Sequence, residues 1–196
     1  FMMHPRVGMA TPYLSEEYME LVRTCMEKGK QNDMLAWLYD EDKWPSGFAG
    51  GLNTKEEENR QKALFITSFP YNDGTLVTEY DKAHATDRLP ESKYYFVACF
   101  DVLLNEDSRL VSYKRIELAD EIPAGHEKWF AYVEYATTSP YYNNQAYCDT
   151  LQKSVIESFI KITHDAYKKH FKEEFGGVIP AIFTDCLLYT SPSPRD

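Results

Sequence analysis

The sequence has only four cysteines, at positions 25, 99, 148 and 186, with no CxxC pair and no Cys/His spacing that would suit a metal. A disulfide framework is therefore not expected, and the cysteines read as ordinary thiols. Basic charge is also scarce. Lys and Arg number 21 against 31 acids, giving a net charge of −10. That balance argues against a nucleic-acid partner and against an anionic membrane surface, both of which select a basic footprint. No run of 18 apolar residues exists, so no segment reads as a membrane span. The GxGxxG order of a dinucleotide site is missing, because "GFAGG" has neither the spacing nor a helix opening after it. No repeat at solenoid period is found.

What is present is a globular composition, 43% hydrophobic and 27% charged over 196 residues, with an aromatic share of 15%. One core of ordinary size is expected. The opening "FMMHPRVGM" reads as the end of a strand running into a loop. Ser15 is a good N-cap for the helix that follows, with Glu16 and Glu17 in its first turn. Tyr18, Val22, Cys25, Met26 and Gly29 recur at helical spacing as its apolar stripe, and Asn32 and Asp33 end it. "MLAWLYDED" is a short apolar run that stops in acids, the pattern of a buried parallel strand. Residues 1–61 thus hold a first βαβ unit, then a Gly/Pro loop and a short exposed helix in "TKEEENRQ".

Residues 62–126 change character. Their β-branched and aromatic runs, separated by turn signals such as "NDG" and "NEDS", predict a β-rich insertion of antiparallel hairpins. Residues 127–137 read as a strand returning to the main sheet. A helix capped by Asp149 or Thr150 follows, with a stripe of Leu151, Val155, Phe159, Ile162, Ala166 and Tyr167 and with Lys168 and Lys169 near its end. "VIPAIFTD" then repeats the buried strand ending in an acid. The expected fold class is α/β: the N-terminal part of a (β/α)8, TIM-type barrel, truncated, formed by residues 1–61 and 127–185 and interrupted by the β-rich insertion of residues 62–126. A full barrel takes about 250 residues, so this chain holds about half of one.

In such a barrel each strand delivers its last residues to one rim. The candidates at that rim are His4 and Arg6 from the first strand, and Asp40, Glu41, Asp42 and Trp44 from the second. Glu134, with Asn143 and Asn144 in the loop beyond, comes from the third, and Asp185 from the fourth. Carboxyl groups in facing positions suit hydrolysis of a glycosidic bond, where one protonates the leaving oxygen and another acts as nucleophile or base. Asn, Arg, His and Trp would position hydroxyls and stack on the sugar. Other readings of the same residues are a solvated acidic turn, a Ca²⁺ site built from the three carboxylates of "DED", or a metal-dependent hydrolase using those acids with His4. Asn143 and Asn144 are also common turn residues. His164 reads as a surface residue.

Four stretches, "HPRVGMATPYLSEEYMELV", "LAWLYDEDKWPSGFAGG", "YYNNQAYCDTLQKSVIESFIKITHDAY" and "IPAIFTD", resemble segments of large bacterial glycoside hydrolases. These are of the type grouped with family 106-like α-L-rhamnosidases and related family 2-like enzymes. The resemblance spans most of residues 1–185 and is weakest over the β-rich insertion. It implies a catalytic barrel, a carbohydrate substrate and no cofactor. It also implies a general acid/base Glu directly after Asp185 and a second catalytic carboxylate on a later strand. Here position 186 is Cys, so no catalytic residue is assigned, and His4, Arg6, Asp40, Glu41, Asp42, Trp44, Asn143, Asn144 and Asp185 are expected as substrate contacts. The stretch "CLLYTSPSPRD", residues 186–196, resembles translated sequencing-library adapter and is expected to be non-native. On this reading the chain is an inactive fragment of a glycosidase. The alternative is a fragment of a non-catalytic barrel that binds carbohydrate or calcium.

Overall fold

A computed structural model describes residues 1–6, 8–72 and 93–186. The adapter-like stretch from residue 187 onward lies outside them, as does the "NDG" turn. The chain divides into two compact units, Phe1–Gln61 with Thr137–Asp196, and Lys62–Ala136.

The first unit is built on three parallel segments. The central one, residues 36–40, contains β1 (Leu38–Tyr39) and pairs in parallel with β6 (Ile182–Phe183). On its other side Met2 bridges Trp37 in parallel, and Met3 N–H donates to the Trp37 carbonyl at 2.9 Å. Helix α1 (Glu16–Gln31) links the first segment to the second. Ser15 caps α1 by accepting from the Tyr18 N–H. Its buried stripe is Tyr18, Met19, Val22, Met26 and Gly29, so Cys25, expected inside, is exposed and Met19 takes the inner place. Helix α2 (Lys153–Phe171) precedes β6 and buries Val155, Phe159, Thr163, Tyr167 and Phe171. Its cap is Gln152 rather than Asp149 or Thr150. Asp149 instead accepts from Leu151 N–H and from the Gln152 amide, folding the turn before the helix. Leu151 sits in that turn and is exposed.

Both helices cover one face of the parallel segments. Leu38 packs there with Val22, Met26, Tyr167, Phe171 and Ile179. Alternate strand residues point to opposite faces. Leu38 and Asp40 therefore face the helices, while Tyr39 and Glu41 face the other way. This is the arrangement of neighbouring strands in an α/β layer. Among the described residues these three segments form no closed barrel.

The loop "WPSGFAGG" is buried rather than solvated. It contains a cis Trp44–Pro45 peptide, and Phe48 packs with Tyr147, Cys148 and Val155 in a second small core. Asn53 closes the loop by donating to the Gly47 carbonyl at 2.8 Å. Gly51 has φ +92°, and a Cβ there would overlap the Gln145 side chain.

The second unit is a four-stranded antiparallel sheet. It comprises β2 (Lys62–Thr67), β3 (Tyr94–Leu104), β4 (Leu110–Ile116) and β5 (Glu127–Tyr135), in the order β2-β5-β3-β4. The strand over 127–135 was expected in the main sheet. It is instead an inner strand of this one, paired with β2 and β3, so the inserted unit extends to residue 136. The physical reason is that "EKWFAYVEY" carries apolar or aromatic residues on both faces of the strand, and such a run does not show in sequence whether its neighbours are parallel or antiparallel. Phe130, Tyr132, Cys99 and Tyr71 form its core. Glu134 belongs here as well, where it accepts from the Tyr71 hydroxyl; it is not an end residue of a parallel strand.

Candidate functional site

The three parallel segments end at the same edge, and their last residues meet. The imidazole of His4 stacks on the Tyr39 ring at 3.7 Å between centroids and an interplanar angle of 9°. Phe183 lies against the other side of Tyr39, with centroids 5.1 Å apart. The Tyr39 hydroxyl donates to Asp185 Oδ2 at 2.8 Å. His4 Nε2 and Glu41 Oε1 share a hydrogen bond of 2.8 Å. His4, Tyr39, Glu41, Phe183 and Asp185 thus occupy one face, as the two-residue strand period requires.

Glu41 is 1% exposed, and its Oε2 has no hydrogen-bond partner. Burial, reinforced by the negative charges of Asp185 and Asp40, pushes its pKa up to about 7, against the pull of Arg6. Burial and the Arg6 charge lower the His4 imidazole, with Asp185 opposing. Both shifts disfavour the charged forms of the His4–Glu41 pair. Burial also raises the Asp42 carboxyl. Burial and the bond to Asp185 hold the Tyr39 hydroxyl protonated well above its ordinary range.

Asp40 is separated from this face. It is 0% exposed, and its oxygens are already bonded. Ser46 Oγ donates to Oδ1 at 2.6 Å, Thr184 Oγ1 donates to Oδ2 at 2.6 Å, and His164 Nε2 shares a bond with Oδ2 at 2.9 Å. Ser46 in turn accepts from the Asp185 N–H at 3.0 Å and returns its own N–H to the Asp185 carbonyl at 3.0 Å. Asp40 is a brace between the strand end, the loop and α2, with both carboxylate oxygens engaged inside the protein. His164, expected at the surface, is a part-buried member of this brace. No periodic signal in the sequence marks His164 or Thr184 as Asp40 partners, because those contacts span 124 and 144 residues.

The three carboxylates of "DED" do not converge. Successive strand residues send Asp40 and Glu41 to opposite faces, and Asp42 lies against the bare Cα of Gly50, where a Cβ would come within 3.2 Å of its Oδ2. Among the described residues no group of three His, Cys, Asp or Glu side chains is arranged to hold a metal ion.

Arg6 and Trp44 lie together on the wall of a cleft of about 170 Å³, with His4, Pro5, Lys43 and Tyr141. Trp44 and Tyr141 meet edge to face, centroids 6.1 Å apart. Lys43 Nζ lies 5.5 Å from the centroid of the Tyr141 ring. Asn143 and Asn144 are exposed and both left-handed, with φ of 57° and 60°. They close the turn in which Asn144 N–H reaches the Ser139 carbonyl, and so they shape the loop that carries Tyr141 rather than entering the cleft themselves. Tyr39, Lys43 and Tyr141 are the site residues that sequence reasoning missed. Tyr39 was detectable, since it is two residues before Glu41 on one strand.

These residues define a class no finer than an α/β unit with a polar cluster at the shared edge of its parallel strands. No protein family, curated protein or solved structure matches the chain. Among the described residues no helix is long and apolar enough to cross a membrane.

Proposed function

We propose that the first unit is part of the (β/α)8-type barrel of a glycoside hydrolase, and that the edge formed by His4, Tyr39, Glu41 and Asp185 faces the sugar. The observation that carries this reading is the pair Glu41 and Asp185. They come from adjacent parallel strands and share one face. Glu41 is pushed up to about 7 by burial and by the charge of Asp185. A carboxyl with a raised pKa beside a second carboxyl on one face is what glycosidic bond chemistry uses. The neighbouring cleft, with Trp44 and Tyr141 on its wall, supports it, because sugar faces stack on aromatic rings.

Bond cleavage belongs, in this proposal, to the parent enzyme. The resemblance noted above sets its acid/base Glu where this chain has Cys186, so the chain binds sugar without turning it over. Saturation-transfer NMR with a panel of neutral monosaccharides tests the reading. Saturation transfer from the aromatic protons of Tyr39, Trp44 and Tyr141 to a sugar is the expected result. Absence of transfer for every sugar at tens of millimolar would sink it. Turnover of aryl glycosides by the chain itself would overturn the assignment at position 186.

A further inference from the structure

The cleft beside Glu41 has a charge at odds with the rest of the chain. The net charge is −10, yet the ionisable residues on the cleft wall are Arg6, Lys43 and His4, with no acid among the lining residues. Arg6 is exposed and enters no ion pair among the described residues. Lys43 is directed to the Pro140 carbonyl at 3.4 Å and to the Tyr141 ring, not to a carboxylate. The two aromatic rings stand at 86° to each other, so one can lie under a sugar ring while the other closes its edge. The cleft volume of about 170 Å³ suits a single pyranose ring.

From this geometry we infer that the cleft takes a sugar bearing a carboxylate, a hexuronate, with its carboxylate set between Arg6 and Lys43 and its ring against Trp44. An Arg guanidinium matches a carboxylate by paired hydrogen bonds, and Lys adds a point charge. A neutral sugar leaves both cations without an anionic partner in the cleft. The nearest acids oppose this less than their number suggests, since burial moves Glu41 and Asp42 toward the neutral form, while Asp185 is engaged by Tyr39. The inference rests on the sugar reading above and names its substrate class.

Calorimetric or NMR titration of the chain with D-galacturonate and D-glucuronate, beside D-galactose and D-glucose, tests it. The expected result is uronate binding about tenfold tighter than that of the matching neutral sugar, a difference of about 1.4 kcal/mol. That margin should vanish in Arg6→Gln and in Lys43→Gln, and should shrink as salt is raised. Equal affinity for uronate and neutral sugar overturns this inference and leaves the sugar site standing. A uronate preference that survives both substitutions overturns the assigned cations. Failure of every sugar to bind removes the inference together with the reading it rests on. Arg6 is exposed and Lys43 is part-exposed, and a circular-dichroism melt of each variant separates lost folding from lost binding.

Discussion

Tyr39 reaches past its direct strand partner, Phe183, to donate a 2.8 Å hydrogen bond to Asp185. The same ring stacks on His4, so one side chain ties together the ends of all three parallel segments. Tyr39→Phe keeps the stack and removes the bond. A hydrogen bond to a charged group is worth about 1.5–3 kcal/mol, and urea unfolding should show a loss in that range. Tyr39→Leu, which also deletes the stack, should lose more.

The raised pKa of Glu41 makes a signed prediction about stability. Its folded value is about 7 against an ordinary 4.5, so between those two values the folded state holds a proton that the unfolded state has released. The contribution is fully present below 4.5 and is lost as pH rises through about 7. Urea midpoints measured from pH 4.5 to pH 8 should fall across this window. Glu41→Gln cannot titrate, and its profile should lack that fall. A wild-type profile identical in shape to that of Glu41→Gln would refute the assignment.

Ser46 is buried and works in both directions, donating to Asp40 and accepting from the Asp185 N–H. Ser46→Ala leaves a buried carboxylate short of a donor and a backbone N–H without its acceptor. Each such orphan costs about 1–3 kcal/mol, so the variant should be among the least stable single changes in the first unit. Ser46→Thr, which retains the hydroxyl, should recover part of the loss, read by the same unfolding curves.

In the second unit Phe130 is 0% exposed and lies on the inner strand β5. Phe130→Ala should cost about 3–5 kcal/mol. Amide exchange should quicken together in β2, β3 and β5, because β5 is hydrogen-bonded to both of the others. Quickening confined to β5 would argue against its inner position.

Much of this architecture is legible in the sequence. Ser15 announces α1, and the apolar runs that stop at Asp40 and Asp185 announce parallel strands, because burial on both faces leaves a distinctive uninterrupted pattern. The same pattern misplaces β5, whose apolar and aromatic run belongs to an antiparallel sheet and buries chiefly the face of Phe130 and Tyr132. Within the site, His4, Glu41 and Asp185 meet as strand ends should. Asp40 does not join them, although it adjoins Glu41 in sequence. Reading "YDED" as a cluster ignores the alternation that sends neighbours to opposite faces. His164 was beyond reach, since its role depends on a partner 124 positions away.

The Asp40 brace has a consequence for the order in which the molecule takes shape. Its partners lie 6, 124 and 144 residues along the chain. Until residues 164 and 184 have come together with it, this carboxylate has only Ser46 to bond and no reason to leave water. Contacts of such long separation form slowly, because a large loop must close before they give anything back. The helix α1, local and well capped, is available early. The edge that carries Glu41 and Asp185 depends on those long closures, whereas the hydrogen bonds and the Ser15 cap of α1 are local.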